Sequence, residues 1–398
     1  MDHKVVVVMV PFIAHGHLNQ LIHLSNIVSM YNIPVHFICT ASNLAQVRTR
    51  LDSLATNHIN FHEFTTPPFA SPPPDPSNAF PAHLQSSFES TLHLRHPVRD
   101  LVTLLSKTIA RVVVIHDTLM SYVVQDVVVI GNVETYNFRP LSAFYYFWDF
   151  WEKLGRPFEV DEMVYKKLPS KDGIVTPEFK AFAKLQYPHM NNDVGDLFDS
   201  SRVVEGEYIE YLEREEISGK KKIWAIGPVN PIQIESDVTK TCHECLRWLD
   251  EQSKNSSMSM GVPMATWPMH SDQPRNAALI TEVLGIGVVV KDWEHRDELV
   301  RDVVVKEAVE KLMSSKEGDE MRKSAAVLGD SIKKSRMEGG VNGLSCLPLI
   351  NHYEDNESVP PPLPDDRYNH SPLPHDNHSC CRLPACPPSS WPNNESRI

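Results

Sequence analysis

The sequence predicts an α/β protein built on a doubly wound parallel sheet. Three observations carry this: short runs of branched aliphatics, helical stretches that alternate with them, and chemically rich loops where strands end. Val5-Val6-Val7-Val8-Met9-Val10 is apolar at every position, as a parallel strand buried on both faces requires. Residues 18–30 follow as an amphipathic helix, with Leu18, Leu21, Ile22, Leu24 and Ile27 on one face. Residues 35–39, 59–64, 112–115 and 133–138 read as the next four strands, with helices expected over 44–54 and 83–106. Beyond Pro140 the alternation loosens. Helices are expected over 143–154, 206–213, 275–284, 304–314 and 320–335, and short strands over 223–226, 263–266 and 287–291.

Composition narrows the function classes. The 398 residues suffice for two domains, and 38 basic against 51 acidic side chains give a formal charge of −13. That balance disfavours nucleic acid and anionic membranes as partners. No apolar run reaches the roughly 18 residues of a membrane span. The N-terminal valine run is too short and too β-branched for a secretory signal. The odd count of seven cysteines agrees with a reducing compartment, so a cytoplasmic monomer is expected. Residues 230–240 are polar and read as a linker. The last fifty or so residues, with Pro360-Pro361-Pro362-Leu363-Pro364, hold too few branched aliphatics to offset the entropy of ordering, so disorder is expected there.

The chemistry sits where strands end. In doubly wound sheets the ligand crevice lies beyond the carboxyl ends of the strands. His17 stands at the start of the first helix, behind Gly16, which permits a tight turn and the close approach of a substrate. A helix N-terminus favours a neutral imidazole, which suits a base. The fourth strand ends at His116-Asp117. With strand order 3-2-1-4-5, strands one and four are neighbours, so Asp117 could accept the imidazole N–H of His17 and fix its tautomer. Such a dyad deprotonates an alcohol. The plainer alternative has each residue only capping a helix. His15 could line an acceptor pocket or simply face solvent. His116 should point away from the Asp117 side and reads as structural.

The words around these residues resemble the plant family-one UDP-glycosyltransferases, in particular the zeatin O-glycosyltransferases. The resemblance rests on Val7-Val8-Met9-Val10-Pro11-Phe12 leading into Gly16-His17-Leu18-Asn19-Gln20, on Tyr31-Asn32-Ile33-Pro34-Val35-His36 and on Val114-Ile115-His116-Asp117-Thr118-Leu119-Met120. It continues through Ile223-Trp224-Ala225-Ile226-Gly227-Pro228, Cys245-Leu246-Arg247-Trp248-Leu249-Asp250, Gly261-Val262-Pro263-Met264 and Trp267-Pro268-Met269-His270-Ser271-Asp272-Gln273. It implies a GT-B fold of two Rossmann-like domains, acceptor site in the first and UDP-sugar site in the second. It also implies inverting transfer of glucose or xylose to a hydroxyl of a small acceptor such as zeatin or a related cytokinin. His17 would be the base, Asp117 its partner, and Asp272 and Gln273 would bind the sugar hydroxyls. No metal or further cofactor is implied beyond the UDP-sugar co-substrate.

The same resemblance exposes a gap. The family's donor signature has a His-Cys-Gly-Trp-Asn-Ser run and a Glu for the ribose, none of which stands between Asp250 and Gly261, although Asn255-Ser256 matches the Asn-Ser pair. A single βαβ unit takes roughly 30 residues, so the opening of a second Rossmann domain cannot fit there. The expected layout is an acceptor domain over 1–229, a linker over 230–244, an incomplete UDP-sugar domain over 245–345 and a proline-rich tail over 346–398. Little or no transferase activity is expected, and a non-catalytic aglycone-binding remnant is the rival reading.

Two further features of the sequence bear on function. Cys242 and Cys245 have zinc-ligand spacing but no second pair at a suitable distance. The aromatic helix offers Phe144 and Trp148 either as walls of an acceptor pocket or as core. No Gly-x-Ser-x-Gly, P-loop or Gly-x-Gly-x-x-Gly is present, which argues against hydrolase, kinase and dehydrogenase readings.

Overall fold

The computed structural model describes residues 4–41, 43, 44, 47, 58–75, 80–229 and 258–335. The linker, the Cys242/Cys245 pair, Asn255-Ser256 and the tail lie outside these residues, as does most of the helix expected over 44–54.

Strand β1 (Val5–Val10) is buried along its whole length. Its side chains alternate between two cores, as the period of two in a strand requires. Val5, Val7 and Met9 enter one cluster, with Leu18, Leu21 and Leu24 of helix α1 (His15–Met30), while Val6, Val8 and Val10 enter another. Strands β2 (Val35–Thr40) and β3 (Ile59–Phe64) pair parallel on one side of β1. Helix α2 (Arg95–Ser106) covers the second core through Val98 and Val102.

Across β1 lie β4 (Arg111–Asp117) and β5 (Val133–Arg139), also parallel. Then come the aromatic helix α3 (Ala143–Lys153), helix α4 (Pro177–Gln186), strand β6 (Gly195–Phe198), helix α5 (Arg202–Glu213) and strand β7 (Lys222–Ala225). The sheet has seven strands in the order β3-β2-β1-β4-β5-β6-β7. The strand order reverses between β1 and β4, which is the switch point that the sequence pattern places there.

The later residues hold a second, two-stranded parallel sheet of β8 (Met264–Thr266) and β9 (Gly287–Val289). Between them helix α6 (Gln273–Ala278) runs into a π turn over Leu279–Val283. Helices α7 (Asp302–Ser314) and α8 (Lys316–Ser335) follow. Among the described residues no helix is long and apolar enough to cross a membrane.

The expected helix over 83–106 is broken. A 3-10 turn at Thr91–Leu94 separates Gln85–Ser90 from α2. Pro97 is the reason: deep in one long helix it would lack a donor and clash with the preceding turn, whereas third in α2 it is tolerated. Strand β6 and helix α4 are additions to the expected elements.

A candidate active site at the switch point

His17 sits in the first turn of α1, and Asp117 is the last residue of β4. Since β1 and β4 pair in register up to Val10 opposite His116, the loop after β1 and the end of β4 are held side by side. The His17 Nδ1 and Asp117 Oδ2 are 2.8 Å apart. A carboxylate can only accept, so Nδ1 carries the proton and donates, which leaves Nε2 with its lone pair. The other carboxylate oxygen, Oδ1, accepts the Leu119 amide at 2.8 Å, so Asp117 is anchored at both oxygens. Its side chain is fully buried, whereas that of His17 keeps 20% exposure, so a ligand can reach the imidazole. Phe12 packs edge-on against the imidazole with ring centroids 5.3 Å apart.

The electrostatics correct one expectation. Burial works against the imidazolium, but the Asp117 charge, the hydrogen bond to it and the more distant charge of Asp272 outweigh that. The pKa of His17 is therefore raised above its ordinary 6.5. The helix N-terminus does not set the direction of this shift, because a carboxylate in direct contact dominates a partial dipole charge.

The charge of Asp272, in the loop after β8, acts in the same direction as Asp117 on His17. That loop is docked on the first sheet's elements. The Ser271 amide donates to the Ile174 carbonyl at 2.8 Å, and His270 packs edge-on to Phe80. Ser271 itself has φ of 59°, a left-handed conformation that a non-glycine residue adopts only when its surroundings hold it. Asp272 Oδ2 accepts the Asn276 side-chain amide at 2.6 Å, and Ser142 Oγ donates to Asn276 Oδ1 at 2.8 Å. Arg275 donates to Glu152 of α3 at 2.9 Å. Gln273 is exposed, with its side-chain carbonyl accepting the Met269 amide at 2.7 Å. Asp272 and Gln273 are thus brought to the His17 side of the molecule. Ser142, Asn276 and Arg275, which hold them there, had no sequence signal beyond their place beside the motif.

The other candidates fall elsewhere. His15, the first residue of α1, is exposed. Phe144 and Trp148 are 0% and 2% exposed, packed with Phe147, Trp151 and Tyr208 in an aromatic core. Their rings meet one another and Tyr208 at centroid distances of 4.9 to 6.4 Å. Of the two options for this helix, these two positions are core. His116 turns to the opposite side from the dyad, as its place in the strand requires, and its Nε2 meets Asp193 Oδ1 at 2.9 Å.

The structure thus places a histidine–carboxylate pair at the switch point of a doubly wound, Rossmann-like sheet. Residues 3–231 match the glycosyltransferase N-terminal domain family. The chain is 38% identical to the zeatin O-glucosyltransferase of Phaseolus lunatus, over 88% of this chain and 97% of that protein. It is 35% identical to the zeatin O-xylosyltransferase of Phaseolus vulgaris, over 88% and 98% respectively. In fold it is similar to Glycyrrhiza uralensis UGT73P12, solved with glycyrrhetinic acid 3-O-monoglucuronide: TM-score 0.67, 18% identity, 89% of this chain and 96% of that one. The chain belongs to the plant UDP-glycosyltransferase family that includes the zeatin O-glycosyltransferases, and its fold is GT-B.

One detail bears on the gap. The alignment with the Phaseolus lunatus protein runs over 448 positions, more than the 398 residues of this chain, yet includes only 88% of it. Since 88% of 398 is about 350 residues, roughly a hundred of the 448 positions have no residue of this chain opposite them.

Proposed function

We propose that this chain carries the acceptor-activating half of an inverting UDP-sugar transferase acting on a hydroxyl of zeatin or a related cytokinin, and that its transfer rate is low. The observation that carries the first part is the 2.8 Å contact between His17 and Asp117 at the switch point. In this reading Nε2 of His17 takes the proton of the acceptor hydroxyl as its oxygen attacks the anomeric carbon and UDP departs. Asp117 stabilises the imidazolium that forms. Asp272 and Gln273 accept and donate hydrogen bonds to the sugar hydroxyls. The relatives that carry zeatin in their names supply the acceptor class.

The second part follows from the sequence between Asp250 and Gly261, which lacks the run that would stack uracil and cradle the diphosphate. Those contacts stabilise the UDP leaving group, and without them the transition state loses much of its electrostatic support. The domain limits 1–229 and 245–345 are proposed on the same ground. The test is product analysis by mass spectrometry after incubation with trans-zeatin and UDP-glucose or UDP-xylose. A trace of O-glycoside that disappears in His17→Ala is expected. Turnover at an ordinary enzyme rate contradicts the low-rate reading, and a trace that survives His17→Ala contradicts the role of His17.

The alignment gap also favours a second reading, a non-catalytic remnant that binds the aglycone alone. It predicts no product under any donor.

A further inference from the structure

Behind the dyad, on the other face of the sheet, lies a cluster of buried charges that the reaction does not use. His116, Asn137 and Asp196 stand opposite one another on β4, β5 and β6 and so share that face. His116 Nε2 lies 2.9 Å from Asp193 Oδ1, with both side chains essentially buried. Its Nδ1 lies 3.0 Å from the main-chain carbonyl of Asp117. Both partners are acceptors. A neutral imidazole has one N–H and can satisfy only one of them; the imidazolium satisfies both.

We propose that His116 is a positioning residue for the His17–Asp117 pair, a doubly protonated imidazolium that ties the Asp117 main chain to the buried charge cluster. The surroundings fit a cation. Lys221 Nζ is 3.7 Å from Asp193 and 3.2 Å from Asp196. Burial works against the Asp193 charge, but His116 and Lys221 hold its carboxyl below the ordinary range. Arg139 pairs with Asp196 at 3.0 Å, donates to Thr118 Oγ1 at 2.9 Å and lies over the ring of Tyr146. On this face His116, Lys221 and Arg139 surround the carboxylates Asp193 and Asp196, each carboxylate meeting two of the three. Burial works against the cation, but Asp193 raises the His116 pKa above its ordinary 6.5.

The consequence reaches the site through geometry. Asp117 is held at three points: its carbonyl by His116, Oδ1 by the Leu119 amide and Oδ2 by His17. Asp117 also pairs with Phe138 on β5, so releasing the first loosens rather than frees the strand end, and the carboxylate shifts from its place against the imidazole. The inference rests on reading His17 and Asp117 as the reacting pair, but its first test does not.

Nitrogen-15 and proton NMR of the histidine rings in the intact chain counts the ring N–H protons of His116 directly. Two slowly exchanging ring N–H signals at neutral pH are expected. A single one overturns the proposal, whatever His17 does. In Asp193→Asn the His116 ring should fall to one N–H, and the titration midpoint of His17 should drop by about one pH unit, a tenfold change in its acidity. A His17 midpoint unchanged in the folded variant means that His116 positions nothing, and the proposal fails. Should His17 prove not to be the base, the proton count on His116 is unaffected, so the two failures are distinguishable.

Discussion

At the scale of single residues the site depends on one proton. In the proposed role His17 must be neutral to act, yet, against the effect of burial, Asp117 holds its pKa above 6.5. Any transfer by this chain should therefore rise with pH through a midpoint above that value, as neutral His17 accumulates. Stability moves the other way. A raised pKa contributes stability that is fully present below the unfolded value and is lost as pH rises through the folded one. Asp117→Asn removes the largest raising cause and leaves burial, which lowers. The His17 midpoint, followed by NMR, should then fall below 6.5; a midpoint that stays raised would show that Asp117 does not set it. The dyad was legible in the sequence because strand order places β1 beside β4 and both motifs end those strands. Its pKa was not, because the direction depends on a contact distance that spacing does not supply.

At the scale of elements, α3 shows how a neighbouring helix holds an aromatic helix in place. Its N-terminus is capped twice: by Ser142, which accepts the Tyr145 amide at 3.2 Å, and by Glu205 from α5, which accepts the Phe144 amide at 2.8 Å. Glu205 is 5% exposed and also accepts from Ser200. Burial pushes its pKa up, though the amides of Phe144 and Ala143 and the Ser200 hydroxyl pull it back. Replacing it with Ala leaves a buried amide without its acceptor, which should cost about 1–3 kcal/mol in urea denaturation. A loss near zero would mean that α3 needs no support from α5. This cap was invisible in the sequence, since Glu205 belongs to another helix. Strand β6 was equally hidden: Gly195-Asp196-Leu197-Phe198 has neither length nor branched residues, and its place in the sheet comes from β5 and β7 on either side. Its glycine is required, because a Cβ there would lie 2.3 Å from the Trp224 ring.

At the scale of the whole molecule the two sheets differ in what they can support. The first has seven parallel strands with deep cores on both faces. The second has two three-residue strands among the described residues and a core of Val288, Val290, Ala308 and Leu312. Parallel strands gain most of their stability from burial on both faces, and a two-stranded sheet offers little. Val289 on β9 and Val303, Val304, Val309 and Met313 on α7 are exposed. The sequence already held this asymmetry, in the run of valines at one end and the short Asp250–Gly261 junction later. The docking of Asp272 beside His17 came only from the structure.

The central claim is an intact acceptor side facing a donor side that lacks its nucleotide contacts. Titration calorimetry of trans-zeatin and UDP-glucose, each alone against the folded chain, tests it most directly. Saturation with trans-zeatin, and heat with UDP-glucose too weak to saturate over the same concentration range, is the predicted result. Saturable binding of UDP-glucose, or the lack of any binding by trans-zeatin, contradicts it.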